Sequence, residues 1–294
     1  MKKNASALFN IILCAVLLLS CLKENGDVTP LPPVLADTMI DYPYGVDAKM
    51  KMDIYLPAGR SATTTKTLVL VHGGGWTFGD KADLTPYIDS FRRALPNWAI
   101  INVNYPLIDI ASGAHRYPLQ ISYIRRAMDT IKNNLARWAI SNKFGMWGSS
   151  AGANLALMYS YTQNADGLVK AVGNHMGPTD LRDCWVNPPG PDTRATVINY
   201  TGVLIPNVFA NDQYDYGSPL FMLPATAPPT ITFHGANDIL VSVTQGRMLR
   251  DKLNTKGIPN QYNEYAGVGH DLWPNSMLSD MFSKLGVFMK TYVY

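Results

Sequence analysis

Two hydrophobic periods alternate along this chain. Short, predominantly apolar runs occupy residues 67–71, 98–103, 144–147, 168–173 and 230–233. Runs of that length, rich in Val and Ile, predict strands buried on both faces of a parallel sheet. Between them the spacing changes to three or four. In 119–140 the apolar positions are Ile121, Ile124, Met128, Ile131 and Leu135, which predicts a helix with one buried face. Segments 154–161, 243–253 and 277–292 read as helices too, and 261–265 is strand-like. Residues 49–56 alternate instead, with Met50, Met52, Ile54 and Leu56 on one face. That pattern predicts a half-buried, antiparallel strand near a sheet edge. Strands alternating with helices imply an α/β fold, a doubly wound and mostly parallel sheet with helices on both faces.

One stretch breaks the rhythm. Residues 182–229, which would follow the sixth strand, are rich in proline and carry Trp185, Tyr200, Phe209, Tyr214, Tyr216 and Phe221. A long connection of this kind in a compact domain is usually functional. It is expected to be a small lid, its aromatic faces offered to aromatic acyl groups or sugar rings.

Composition narrows the classes. The chain has 294 residues, 47% hydrophobic and 16% charged, with a formal charge of +3. Apolar content is ample for a core, so disorder is excluded. A nearly balanced charge gives nucleic-acid binding no support. The 3 cysteines are too few for a disulfide scaffold. The first residues have another purpose. Lys2 and Lys3 precede a largely apolar run from 8 to 19, short of the roughly 20 residues that span a bilayer as a helix. The ending Leu18-Leu19-Ser20-Cys21 resembles the lipobox of bacterial lipoproteins. The resemblance implies a signal peptide over 1–20, lipid on Cys21, and a bacterial envelope location, periplasmic or surface-exposed. Residues 21–36 then read as a proline-containing tether and 37–294 as the folded domain. The lipid anchor is the only membrane contact expected. Cys184 is left as a buried small apolar residue.

Candidate chemistry clusters in two glycine-rich segments. Gly148-Ser149-Ser150-Ala151-Gly152 lies between a predicted strand and a predicted helix. In that context G-x-S-x-G forms a strained turn that lifts the central hydroxyl, here of Ser150, above the sheet. Glycines flank it because side chains there would strike the neighbouring strand and helix. The second segment, His72-Gly73-Gly74-Gly75-Trp76, directly follows strand 67–71. Acyl transfer builds negative charge on a carbonyl oxygen, and a glycine run brings backbone N–H groups close enough to meet it. A phosphate loop is not supported, since no GxxxxGK[ST] occurs and GxGxxG fails at Phe78.

A serine nucleophile needs a base and an orienting acid, which in this topology follow it in the order acid, then histidine. Of 5 histidines, His175, His234 and His270 come after Ser150. His270 lies in a glycine-rich loop, His234 ends a buried strand and reads as structural, and His175 ends another. Acid candidates are Asp238, beyond strand 230–233, and, more weakly, Asp271, Asp180, Asp183 and Asp215.

HGGGW at 72–76, GSSAG at 148–152, HGAND at 234–238 and GH at 269–270 together resemble the α/β-hydrolase superfamily, in its esterase and lipase branch. Within that branch the chain is similar to bacterial feruloyl and acetyl-xylan esterases. The resemblance covers about residues 40 to 294. It departs at Asn104-Tyr105-Pro106-Leu107, where hormone-sensitive-lipase relatives usually carry NYRLAPE. It implies Ser150 as nucleophile, His270 as base and Asp238 as orienting acid. Backbone N–H groups of Ala151, Gly74 and Gly75 would form the oxyanion hole. No metal or cofactor is implied. The expected activity is carboxylic ester hydrolysis on short acyl, aromatic or carbohydrate-linked esters, including decorated polysaccharide fragments. A serine peptidase or arylformamidase on the same scaffold, or a surface-anchored binding protein, are the alternatives.

Overall fold

A computed structural model describes residues 34–190, 193–202, 213–271 and 273–294. Cys21, the signal segment and most of the tether lie outside the described residues, as do Phe209, Asp192 and Asp212.

Eight strands form one sheet: β1 (Asp37–Pro43), β2 (Lys51–Leu56), β3 (Thr67–Val71), β4 (Ala99–Val103), β5 (Phe144–Ser149), β6 (Val169–His175), β7 (Thr230–Gly235) and β8 (Asn260–Tyr265). Their order is β1-β2-β4-β3-β5-β6-β7-β8. β2 runs antiparallel to both β1 and β4, and every later pair is parallel. The sheet is therefore mostly parallel, as the predominantly apolar runs require. In β3 the side chains divide by parity: Leu68 and Leu70 enter one core, Val69 and Val71 the other. A strand with both faces buried cannot alternate in polarity, and this is why its sequence does not.

Helices α1 (Ile88–Ala94), α2 (Leu119–Asn133), α3 (Ala151–Thr162), α4 (Leu181–Val186), α5 (Thr193–Thr201), α6 (Val243–Thr255) and α7 (Asn275–Tyr292) cover the two faces. Phe91 of α1 and Phe282, Leu285 and Met289 of α7 fill the core under Leu68 and Leu70. The opposite core takes Ile124 of α2, Leu155 of α3 and Leu249 of α6. α3 is buried on all sides from Ala151 to Tyr161, which explains why it lacks a polar stripe.

Three details differ from expectation. The 119–140 helix breaks at Asn134, whose side-chain amide donates to the carbonyl of Thr130 at 2.8 Å. Its own backbone N–H turns to Ile131 at 3.0 Å, so the i−4 ladder ends there and a separate turn, Leu135–Trp138, follows. β1 gave no sequence signal because most of its residues are exposed. It is an edge strand, with a register shift between Met39 and Tyr42. The aromatics of 182–229 are the third. Trp185, Tyr200 and Tyr214 are buried in the same core as α3. Tyr200 lies flat on Trp76, centroids 4.1 Å apart. Tyr216 and Phe221 are exposed. The described residues of the segment form α4, α5 and two further turns, Gln213–Tyr216 and Pro219–Met222, and three of their five large rings hold them down.

The α1–α7 crossing is close enough to test. A Cβ on Gly286 would stand 2.6 Å from the carbonyl oxygen of Ala94. Gly→Ala inside a helix ordinarily stabilises by about 1 kcal/mol. Here overpacking should outweigh that gain, and Gly286→Ala should lose about 1–3 kcal/mol in chemical denaturation. A stabilised variant would mean that the two helices can separate freely.

Candidate functional site

The site begins where β5 turns into α3. Ser150, at that junction, has φ 53° and ψ −122°, a conformation that costs a side-chain-bearing residue about 1–3 kcal/mol. Its N–H donates to the carbonyl of His175 at 2.8 Å, and its own carbonyl accepts from Ala153 at 3.0 Å. The flanking glycines are obligatory. A Cβ on Gly148 would lie 2.3 Å from the Gly152 carbonyl oxygen. One on Gly152 would lie 2.2 Å from the His72 carbonyl oxygen and 2.3 Å from that of Val71.

The structure brings Ser150, His270 and Asp238 together. His270 Nε2 is 2.9 Å from Ser150 Oγ, and His270 Nδ1 is 2.6 Å from Asp238 Oδ2. Two neighbouring loops supply the pair, and they touch backbone to backbone. A Cβ on Gly235 would meet the Gly269 carbonyl oxygen at 2.3 Å. Asn237 N–H donates to the carbonyl of Val268 at 2.9 Å, stapling the acid loop to the histidine loop.

Asp238 is held as a carboxylate. Burial alone would raise its pKa, but hydrogen bonds from His234 and His270, and the N–H of Val241 at 2.8 Å, outweigh burial and hold it well below the usual carboxylate range. Leu240 N–H adds a further donor at 2.9 Å. His234 was expected to be structural. It is fully buried, with Nε2 2.9 Å from the carbonyl oxygen of Val241 and 3.4 Å from Asp238 Oδ2. Sequence reasoning placed it at the strand end but missed its contact with the acid. The HGAND spacing was the available signal, since residues four apart across a tight turn can meet.

The remaining candidates are engaged elsewhere. Asp215 pairs with Arg182 at 3.0 Å, Asp180 caps α4 through the N–H of Asp183 at 2.9 Å, and Asp183 accepts from Gln245 at 2.7 Å. Asp271 is exposed at the cleft. Ser149 Oγ lies 3.4 Å from His175 Nδ1, away from His270.

Gly74, at φ 110°, can only be glycine, because a Cβ there would sit 2.0 Å from the Phe78 carbonyl oxygen. Its carbonyl accepts from both Thr77 and Phe78 at 3.0 Å, which turns the loop back on itself. The N–H groups of Gly74, Gly75 and Ala151 donate to no acceptor among the described residues. All three residues border the same cleft as Ser150 and His270.

That cleft has a volume of about 850 Å3. Aromatic residues from elements the sequence reading did not connect border it: Phe78 and Tyr87, which are exposed, and Trp147, Trp273, Phe91 and Phe282, which are themselves buried in the core. The 182–229 segment contributes Cys184, Thr193, Thr196 and Val197 instead of its large rings. Cys184 is buried as expected, and burial pushes its thiol well up. Among the described residues no three His, Cys, Asp or Glu side chains are grouped to hold a metal ion. No described helix is long and apolar enough to cross a membrane.

With this geometry in place the comparisons are informative. The family model BD-FAE matches residues 52–253, well over half of the chain. The chain belongs to the BD-FAE family. Esterase LipC of Mycobacterium tuberculosis is 24% identical over 248 residues, covering 77% of this chain and 58% of LipC. The chain spans about half the length of the curated relatives it matches. Among solved structures, a bifunctional GH43-CE protein of Bacteroides eggerthii aligns with TM-score 0.73 at 20% identity, over 85% of this chain and 38% of that one. A truncated carbohydrate esterase from gut microbiota aligns with TM-score 0.68 at 20% identity, over 86% of this chain and 98% of that one. These likenesses establish the α/β-hydrolase fold for this BD-FAE member.

Two buried histidines make an acid-stability prediction. Burial, reinforced by His270 and His234, pushes His175 from 6.5 down to about 3. Burial also lowers His72, against its hydrogen bonds to Gly73 and Asn104. Unfolded imidazoles take up a proton below about 6.5, whereas folded His175 stays neutral. The unfolded state then binds more protons, so stability falls as pH drops from 6.5 towards 3. One such proton contributes about 1.4 kcal/mol per pH unit at full effect. In urea titrations between pH 6.5 and 4.5, His175→Gln should lose stability less steeply than the parent chain. Parallel slopes would mean that His175 is protonated in the folded state.

Proposed function

We propose that this chain is a serine carboxylic ester hydrolase in which Ser150 is the nucleophile, His270 the base and Asp238 the orienting acid. The observation that carries the reading is the continuous hydrogen-bond path from Asp238 Oδ2 through His270 to Ser150 Oγ, at 2.6 and 2.9 Å. It ends on a strained turn beside free backbone donors. The esterase names of the relatives support the same class.

The chemistry follows from the placement. Asp238 accepts from His270 Nδ1, which leaves the Nε2 lone pair facing the hydroxyl of Ser150. As Oγ bonds to the ester carbon, its proton passes to Nε2 and the carbonyl electron pair moves onto oxygen. The N–H groups of Gly74, Gly75 and Ala151 are proposed to receive that oxyanion. Preorganised donors of this kind are worth about 3–4 kcal/mol each in the transition state. Collapse breaks the bond to the alcohol oxygen, which takes the proton from Nε2. Water then gives a proton to His270 and attacks the acyl carbon. The acid is released as Ser150 regains its proton.

A finer reading concerns substrate and place. The aromatic lining of the cleft, with the exposed rings of Phe78 and Tyr87, supports short acyl or aromatic esters, and carbohydrate-linked esters among them. The expectation rested on the rings of 182–229, of which Trp185, Tyr200 and Tyr214 are buried. The Leu18-to-Cys21 tetrapeptide supports lipid anchoring of the domain to a bacterial envelope.

Two measurements test the proposal. A fluorophosphonate probe should label the parent chain and Ser149→Ala, and leave Ser150→Ala unlabelled. Turnover of an aryl acetate should fall by up to roughly a million-fold in Ser150→Ala and stay within about tenfold in Ser149→Ala. Reversed behaviour of the two serines would overturn the assignment. In the second, acetyl and feruloyl esters should be hydrolysed faster than long-chain fatty esters at equal concentration. Preference for the long chains would discard the substrate reading and leave the triad standing.

A further inference from the structure

Charge is distributed unevenly between the chain and its cleft. The chain carries 25 Lys and Arg against 22 Asp and Glu. Yet among the described residues lining the cleft there is no lysine or arginine, while Asp83 and Asp271 both border it. The internal stretches outside the description contain Asp192 and Asp212 and no lysine or arginine. The cations closest in sequence to the cleft are occupied. Lys81 pairs with Asp41 at 2.8 Å and Asp53 at 2.9 Å, Arg92 with Asp89 at 3.7 Å, Arg182 with Asp215 at 3.0 Å and Lys284 with Asp280 at 2.6 Å, while Arg93 donates to Ser90 Oγ at 2.9 Å. Arg194, next to the cleft-lining Thr193, donates to the carbonyl of Trp185 at 2.9 Å and lies over its ring at 5.2 Å.

The two aspartates adjoin different parts of the site. Asp271 follows His270 directly, and Asp83 stands beside the oxyanion loop, its Oδ2 3.3 Å from where a Cβ on Gly79 would be. Asp83 is also fixed, accepting from the N–H of Asp80 at 3.0 Å. Neither forms an ion pair among the described residues. Hydrolysis at Ser150 adds a third negative centre, the developing oxyanion. A substrate carboxylate would bring a fourth charge of the same sign into a cleft where the cation formed in the reaction, the imidazolium of His270, is already paired with Asp238.

We propose that Asp83 and Asp271 make this cleft discriminate by charge, so that neutral esters are hydrolysed and their carboxylate-bearing counterparts are disfavoured. The inference rests on the esterase reading and narrows it. Neutral sugars and uncharged aromatic arms are favoured over arms carrying a uronic acid or a dicarboxylic half-ester. Like charges several ångströms apart at a partly exposed site give a discrimination of roughly 3- to 30-fold, reduced by salt because the Debye length is about 10 Å at 0.1 M.

The test compares matched esters, each rate divided by that ester's hydroxide-catalysed rate. On the acyl side the pair is 4-nitrophenyl hexanoate against the mono-4-nitrophenyl ester of adipic acid. On the alcohol side it is phenyl acetate against 4-acetoxybenzoate. At low salt the parent chain should favour the neutral member of at least one pair by roughly 3- to 30-fold in kcat/KM. That ratio should shrink towards one in the Asp83→Asn/Asp271→Asn variant and in the parent at high salt. Because the ratio is read, a loss common to both esters cancels. A ratio near one in the parent for both pairs, or a ratio that the double variant leaves unchanged, overturns the proposal. No turnover of either neutral ester would instead bring down the esterase reading on which it depends.

Discussion

The site depends on one backbone contact. The α-carbon of Gly152 lies so close to the carbonyls of Val71 and His72 that a methyl group there would fall 2.2–2.3 Å from their oxygens. That contact presses the turn after β5 against the loop after β3. These strands are parallel neighbours, with Val71 opposite Gly148. Ser150 and the His72–Gly75 loop therefore cannot shift independently. The same device recurs two strands further along, where Gly235 and Gly269 bring the loops after β7 and β8 into backbone contact. β6 bridges the two halves, since its last carbonyl, of His175, accepts from Ser150 N–H. Strain at a single serine can persist because a whole sheet edge, rather than one bond, opposes its relaxation.

Much of this was legible in the sequence, for identifiable reasons. β3 to β7 declare themselves because strands buried on both faces carry few polar residues. Ser150 and the glycine loop declare themselves because close approach excludes side chains, which leaves a pattern in the sequence. Other features left none. β1 is an exposed edge strand, so no face selected its residues. Asn134 ends a helix by a local side-chain hydrogen bond that hydrophobic spacing does not register. The cleft wall was illegible because Phe91, Trp147, Trp273 and Phe282 are scattered over nearly 200 positions and meet only in the fold. Conversely, the rings of 182–229 invited a ligand-binding reading. Ring type alone does not distinguish a face turned to a ligand from one turned to a core. Tyr200 stacked on Trp76 is the latter, and the contact couples the segment to the glycine loop at 72–76.

Electrostatics then divides the ionisable groups by burial and partner. His72 and His175 are buried with uncharged hydrogen-bond partners, so burial drives each towards its neutral form. Asp238 is also buried, but it accepts from two backbone N–H groups and faces two imidazoles, so it remains charged. That difference matters for the proposed chemistry. An orienting acid must accept from His270 Nδ1 throughout, and a carboxylate that took up a proton would compete for that role. The N–H donors of Leu240 and Val241 belong to the same short turn as Asp238, so folding of the turn and ionisation of the acid support one another. His234 packs on the far side of that turn, through the carbonyl of Val241 at 2.9 Å, and closes it off. The histidine that looked like strand-end packing is better understood as part of the wall that keeps the acid dry and charged.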